Sequence, residues 1–144
     1  MKITPIFHIL SILIMPLSGF MMVSGFVDFV YNNQNWVNFF ISATITLFVG
    51  MSVFLATRGH NDQNIDLRQA FVLTTMSWIT IAFFGALPFY LSNINLDFTD
   101  SFFESMSGIT TTGSTILISI EASPPGILAV SYTHLRAHET SLHL

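Results

Sequence analysis

The chain has no cysteine and very little charge, and these two absences limit what it can be. Without cysteine there is neither a disulfide framework nor a thiolate metal site. Only 8% of the 144 residues are charged, whereas an average soluble domain carries about 25%, and 51% are hydrophobic. The mean hydropathy is +0.65. This composition indicates a membrane protein that is surrounded by lipid.

Basic residues are scarce, and no recognisable catalytic pattern accompanies the acidic ones. Lysine and arginine together number 4, so the chain has no basic patch for nucleic acid. His60, Asp62 and Asp66 lie in one polar segment, but their spacing matches no metal site that we recognise. We therefore predict that the chain is not an enzyme, that it needs no cofactor and that it binds no nucleic acid.

Three long apolar segments predict transmembrane helices: Pro5 to Val30, Trp36 to Ala56 and Ala70 to Leu91. At about 1.5 Å per residue, each can cross a hydrocarbon layer of roughly 30 Å. A signal peptide is the alternative for the first segment, but its apolar run exceeds the roughly 7 to 15 residues of a signal core. Residues 1–57 are thus predicted to form a helix pair, followed by a polar loop at 58–69.

The basic residues also predict the orientation. Lys2, Arg58 and Arg68 fall on one side of the predicted spans, and most acidic residues fall toward the other side. The positive-inside rule then places the N-terminus and the 58–69 loop in the cytoplasm.

The stretch from Asp100 to Ser114 follows the third span but is not a membrane helix itself. A short amphipathic piece, Phe98 to Met106, is too brief to cross a bilayer, and it leads into three threonines between Gly108 and Gly113. Irregular backbone at membrane depth occurs only where protein buries it or where it lines a watery cavity. Carbonyl and hydroxyl oxygens can replace the water shell of an alkali cation. The stretch therefore indicates a re-entrant pore loop.

The stretch is also open to two other interpretations. Serine, threonine and glycine clusters are often plain surface loops. The run Gly108-x-x-x-x-Gly113-Ser114-Thr115 also approaches the phosphate-loop pattern, but Ser114 stands where the phosphate-binding lysine belongs.

The ordered run from Phe102 to Ser114 resembles the first pore helix and selectivity filter of the TrkH/TrkG/KtrB potassium-uptake family. The residues from Gly85 to Phe89 also resemble the end of the preceding helix in that family's first repeat. The similarity extends from the N-terminus to about Val130. It implies an all-α membrane protein in which residues 70–130 form the first of four pore repeats, each with a re-entrant pore helix and a filter loop.

The resemblance also implies a function and a set of site residues. The function is potassium uptake through a cation-selective pore in the bacterial cytoplasmic (inner) membrane. The expected K⁺ ligands are the backbone carbonyls of four consecutive residues: Thr110, Thr111, Thr112 and Gly113. Glu104 and Gly108 are expected to support this filter, Glu104 by hydrogen bonds to backbone amides or by its negative charge. A plain interfacial acid is the alternative for Glu104.

The family assembles its filter from four such loops, and this chain supplies one. We therefore expect the 144-residue product to be inactive alone. The intact protein is expected, by resemblance, to form a homodimer with a cytosolic nucleotide-binding regulatory subunit. The competing hypothesis is a small non-transporting helical membrane module or assembly factor.

The last segment, residues 131–144, breaks the membrane pattern and carries three of the five histidines. His134, His138 and Glu139 do not follow the His-Glu-x-x-His order of zinc proteases. We predict that this segment is a non-native or out-of-frame tail.

Overall fold

The computed structural model describes residues 3–32, 34–59, 66–92, 96–112, 114–116 and 126. These residues form four α-helices: α1 (Thr4–Val30), α2 (Trp36–Thr57), α3 (Leu67–Leu91) and α4 (Phe98–Ile109). The first three are long and apolar enough to cross a membrane. The predicted all-α membrane fold and its three spans are confirmed, although α3 begins three residues earlier than predicted, inside the 58–69 segment.

Proline marks the beginning of α1 and also lies within it. Pro5 occupies the first turn, where its missing N–H is not needed, and the helix then continues through Pro16. Ser11 and Ser18 each donate a hydroxyl hydrogen bond to a carbonyl one turn earlier, the carbonyls of His8 and Met15. These two serine hydroxyls are therefore satisfied within the helix, as polar groups in a membrane require.

Helices α1 and α2 form an antiparallel hairpin whose contacts depend on small residues. A Cβ atom at Gly25 would lie 3.0 Å from the Cβ of Phe39, and one at Gly50 would lie 3.6 Å from a methyl carbon of Ile14. Close backbone approach is the usual basis of helix association in lipid, where no hydrophobic force drives the helices together. The hairpin is thus held by van der Waals packing at its glycines.

A polar contact joins the open end of the hairpin, where α1 begins and α2 ends. His8 Nδ1 lies 2.9 Å from the hydroxyl of Thr57, and the imidazole stacks on Phe54 with ring centroids 5.1 Å apart. The contacts of His8 with Thr57 and Phe54 are those of a helix-packing residue.

Helix α3 has a well-defined beginning and packs with little of its surface buried. Asp66 caps it through a capping box with Gln69, whose side-chain oxygen accepts the Asp66 N–H at 2.9 Å. Pro88 lies near the other end without terminating the helix, which continues to Leu91. Large apolar side chains such as Phe71 and Trp78 remain exposed along α3. This surface is suited to contact with lipid or with further protein.

The hairpin contact gives a matched pair of glycine substitutions. Gly25→Ala places a methyl group against the Cβ of Phe39, which cannot rotate away, so we expect a loss of roughly 1–3 kcal/mol of stability. Gly19→Ala, on the same helix, meets nothing within 4 Å and should be neutral or stabilising. Thermal unfolding in detergent, followed by circular dichroism, measures both. Equal melting temperatures for the two variants would contradict the proposed hairpin contact.

Candidate functional site

The fourth helix is short and begins with acidic residues. Asp97 precedes α4 with extended backbone angles, and its carbonyl accepts the Ser101 N–H at 2.9 Å. Asp100 lies in the first turn, where a negative charge is favoured by the helix dipole. With 12 residues, α4 is about 18 Å long, which is little more than half of the hydrocarbon thickness.

Helix α4 lies against the last turns of α3 because of one glycine. A Cβ atom at Gly85 would overlap the hydroxyl of Ser105, so the two helices approach each other where Gly85 has no side chain. Ala82 and Ala86, on the same side of α3, are fully buried. Phe98 adds aromatic contacts with Phe83 and Tyr90, at centroid distances of 5.8 and 6.0 Å. This packing fixes the position of α4.

The chain turns sharply at the C-terminal end of α4. The Thr112 N–H donates to the Ser107 carbonyl at 3.0 Å, and the Thr111 N–H donates to the Gly108 carbonyl at 3.1 Å. This pair of bonds is the Schellman motif, in which the residue at the position of Thr111 adopts the left-handed conformation. The φ angle of Thr111 is +54°, a value that glycine usually supplies and that is rare for a β-branched residue.

Threonine hydroxyls cluster at this turn. The hydroxyls of Thr110 and Thr112 lie 2.7 Å apart, and the Thr110 hydroxyl also lies 2.8 Å from the Met106 carbonyl. Thr110, Thr111 and Thr112 are all exposed. The C-terminal end of a helix carries a partial negative charge, so exposed oxygens at this position favour a cation over an anion.

Beyond the turn, the chain returns along α4 and is bound to it by Glu104. The Thr115 hydroxyl donates to Glu104 Oε1 at 2.9 Å, and the Ile116 N–H donates to Oε2 at 3.1 Å. The Ser107 hydroxyl, one turn further along the same face, donates to the Ser114 carbonyl at 2.5 Å. The Glu104 side chain is buried, and each of its two oxygens accepts a hydrogen bond from the returning segment.

The structure therefore brings together most of the residues singled out from the sequence. Thr110, Thr111 and Thr112 form the turn, Gly108 lies in the last turn of α4, and Glu104 lies one turn earlier. Gly113 and the segment 131–144 lie outside the described residues.

Sequence reasoning missed Ser107 and Thr115, the partners that complete the connection between α4 and the returning segment. The spacing from Glu104 to Ser107 did carry a signal, because residues three apart share a helix face. Thr115 gave no such signal, since its partner lies across the turn.

The phosphate-loop interpretation is wrong for this site. A phosphate loop leads into a helix N-terminus, whose free N–H groups and positive end bind the anion. Here Gly108 belongs to the last turn of α4, so the threonines follow a helix C-terminus. Among the described residues, no group of three or more histidines and acids is arranged to hold a metal ion.

Comparison with known proteins identifies the family. The family described as "TrkH: Cation transport protein" matches residues 34–139, which include the hairpin's second helix, α3, α4 and the threonine turn. The matched range ends within the segment 131–144.

Individual relatives agree with this match. The Trk system potassium uptake protein TrkH of Escherichia coli K12 is 33% identical over 129 residues, which are 89% of this chain and 26% of that protein. TrkI of Halomonas elongata, also named a Trk system potassium uptake protein, is 37% identical over 123 residues, which are 85% of this chain and 25% of TrkI. The chain thus spans about a quarter of the length of these relatives.

The fold is also that of a solved member. The crystal structure of the potassium transporter TrkH from Vibrio parahaemolyticus superimposes with a TM-score of 0.84 at 30% sequence identity. The superposition covers 91% of this chain and 28% of the TrkH chain. The relatives are transporters rather than enzymes. The chain belongs to the TrkH family of cation transport proteins.

Proposed function

We propose that residues 70–130 are the first pore repeat of a potassium-uptake protein and that the threonine turn contributes one part of a K⁺ filter. One observation carries the proposal: a half-length helix ends in exposed threonines, and the chain then returns along that helix, bound to Glu104. The names of the E. coli and Halomonas relatives as potassium uptake proteins support K⁺ as the transported ion.

The proposed ligands are backbone carbonyls, assisted by hydroxyls. The carbonyls of four consecutive residues replace water around K⁺: Thr110, Thr111, Thr112 and Gly113. The negative end of the α4 dipole adds attraction for the cation without a fixed charge at the ligand positions. The left-handed Thr111 changes the direction of the backbone just where the helix ends and the filter begins.

Glu104 supports the filter in this proposal and does not bind the ion. Both of its oxygens accept hydrogen bonds from Thr115 and Ile116, so they hold the segment that follows the filter. Gly108 contributes the carbonyl that accepts the Thr111 N–H at the start of the turn. The filter is thereby fixed at its beginning by the helix cap and after its end by the carboxylate.

The proposed topology is re-entrant and opens outward. Helix α4 enters from the side of the membrane at which α3 ends, and the returning segment leads back to that side. The positive-inside rule, applied to Lys2, Arg58 and Arg68, supports a cytoplasmic location for the opposite side, and the proposed membrane is the bacterial inner membrane.

A complete pore requires more protein than this chain supplies. Because one loop cannot surround an ion, the 144 residues are proposed to be inactive alone and to act within a four-repeat protein. That intact protein is proposed to be a homodimer regulated by a cytosolic nucleotide-binding subunit.

Substitution of Glu104 tests its proposed role. Glu104→Ala removes the carboxylate that accepts from the Ile116 N–H and the Thr115 hydroxyl, at a cost of about 1 kcal/mol for each of these part-buried hydrogen bonds. Glu104→Gln retains one acceptor oxygen and should lose less. Asp100→Asn removes the same charge from the same helix, near its beginning, and serves as the control.

Thermal unfolding in detergent and hydrogen exchange at the Ile116 amide give the two readouts. We expect the lowest melting temperature and the fastest Ile116 exchange in Glu104→Ala, with Glu104→Gln intermediate and Asp100→Asn close to the unmodified chain. Equal behaviour of Glu104→Ala and Asp100→Asn would remove Glu104 from the supporting role.

A chimaera tests the transport function. Residues 1–130 of this chain replace the matching first quarter of E. coli TrkH, and the chimaera is expressed in bacteria that lack potassium uptake. We expect growth at limiting K⁺ with the chimaera and loss of growth with its Gly113→Ser variant, because a side chain at Gly113 disturbs the carbonyl ligands. The 144-residue chain alone should give no growth.

Membrane expression of all forms is checked by immunoblot, and unmodified E. coli TrkH is the positive control. Growth that is unchanged by Gly113→Ser would contradict the filter assignment. Growth supported by the 144-residue chain alone would show that it assembles a pore from several copies.

A further inference from the structure

Asp28 is a fully buried acid near the end of α1, yet its hydrogen bond leads out of the helix pair. Its Oδ1 accepts the backbone N–H of Gly126, a residue 98 positions further along the chain. Gly126 is also buried, and it lies after the threonine turn and the returning segment. The contact therefore joins the first helix to the part of the chain that leaves the candidate filter.

Gly126 is suited to this contact in two ways. Pro124 and Pro125 precede it and have no N–H, so Gly126 supplies the first amide donor after Ser123. A Cβ atom at Gly126 would lie within 2.8 Å of the carboxylate carbon and both oxygens of Asp28, closer than real Cβ atoms approach. Gly126 therefore donates its N–H to Asp28, and its lack of a side chain leaves room for the carboxylate.

The burial of Asp28 is only partly compensated by hydrogen bonds. Among the described residues, its second oxygen, Oδ2, is buried without a hydrogen-bond partner. A buried acid within a membrane helix is costly, and acids persist at such positions where they serve a function. Within the part of the chain that the structure describes, this carboxylate is hydrogen-bonded to Gly126 rather than to α2.

We propose that Asp28 is a positioning residue that fixes the chain after the filter to the first helix pair. The Asp28 carboxylate satisfies the Gly126 amide at a point where the chain has left the candidate filter. The α1–α2 hairpin, which supplies no filter residue, thereby becomes a support for the pore repeat. This role goes beyond the proposed transport function and does not depend on which ion passes.

The Gly126 amide itself is the reporter. The chain contains 8 glycines, so ¹⁵N-glycine labelling in detergent micelles gives a simple spectrum, and Gly126→Ala assigns the Gly126 signal by its disappearance. Hydrogen exchange of this amide is compared in the unmodified chain and in Asp28→Asn, Asp28→Ala and Asp28→Leu. Asp28→Leu keeps the side-chain volume without a buried charge, so it preserves the fold if Asp28→Ala does not.

The control is Ser24→Ala, one turn away on the same helix, whose hydroxyl bonds only to the Phe20 carbonyl of α1 among the bonds described. A hydrogen bond to a charged acceptor is strong enough that its loss should accelerate exchange about tenfold or more in Asp28→Ala and Asp28→Leu. Asp28→Asn keeps an acceptor oxygen and should retain most of the protection, while Ser24→Ala should match the unmodified chain.

Two results would overturn the proposal. Gly126 exchange that is equally fast in the unmodified chain and in Asp28→Leu would show that the carboxylate does not hold this amide. Exchange in Asp28→Asn as fast as in Asp28→Leu would show that an acceptor oxygen at position 28 is not what positions Gly126. Neither readout uses transport, so a failure here is distinct from a failure of the proposed function.

Discussion

The hydrogen bonds of the Glu104 carboxylate are the constraint on which the rest of the site depends. A chain that turns back within a membrane, as we propose for this one, must satisfy its backbone donors without water. Glu104 does this for the Ile116 N–H and also accepts from the Thr115 hydroxyl, which places the returning segment beside α4. The bond from the Ser107 hydroxyl to the Ser114 carbonyl also joins α4 to the returning segment, one helical turn further along.

The packing of α4 against α3 determines where that carboxylate lies. Gly85 allows α4 to approach α3 closely at Ser105, and the aromatic contacts of Phe98 fix the beginning of α4. The Schellman cap at Thr111 then ends the helix with its oxygens exposed and its negative dipole end toward the turn. In the proposed filter, these oxygens would surround a cation without a charged side chain at the ligand positions.

The sequence predicts the helices of this protein better than its individual backbone angles and hydrogen bonds. Apolar runs long enough to cross a membrane identified α1, α2 and α3, because this signal is local in the chain. The left-handed Thr111 was not predictable, since propensity favours glycine at that position. The Asp28–Gly126 contact was not predictable either, because no periodicity links residues 98 positions apart.

The central claim, that the chain enters and leaves the membrane on one side around the threonine turn, is tested most directly by thiol labelling. The chain has no cysteine, so a single cysteine can be introduced at Asn32, Gly59 or Ser123 in separate variants. A membrane-impermeant thiol reagent then labels each variant only from the side on which its cysteine lies. Asn32 and Gly59 flank α2 and mark its two sides. The account predicts that Ser123 is labelled from the same side as Asn32. Labelling of Ser123 from the side of Gly59 would mean that the chain crosses the membrane at the threonine turn, and the re-entrant site would be wrong.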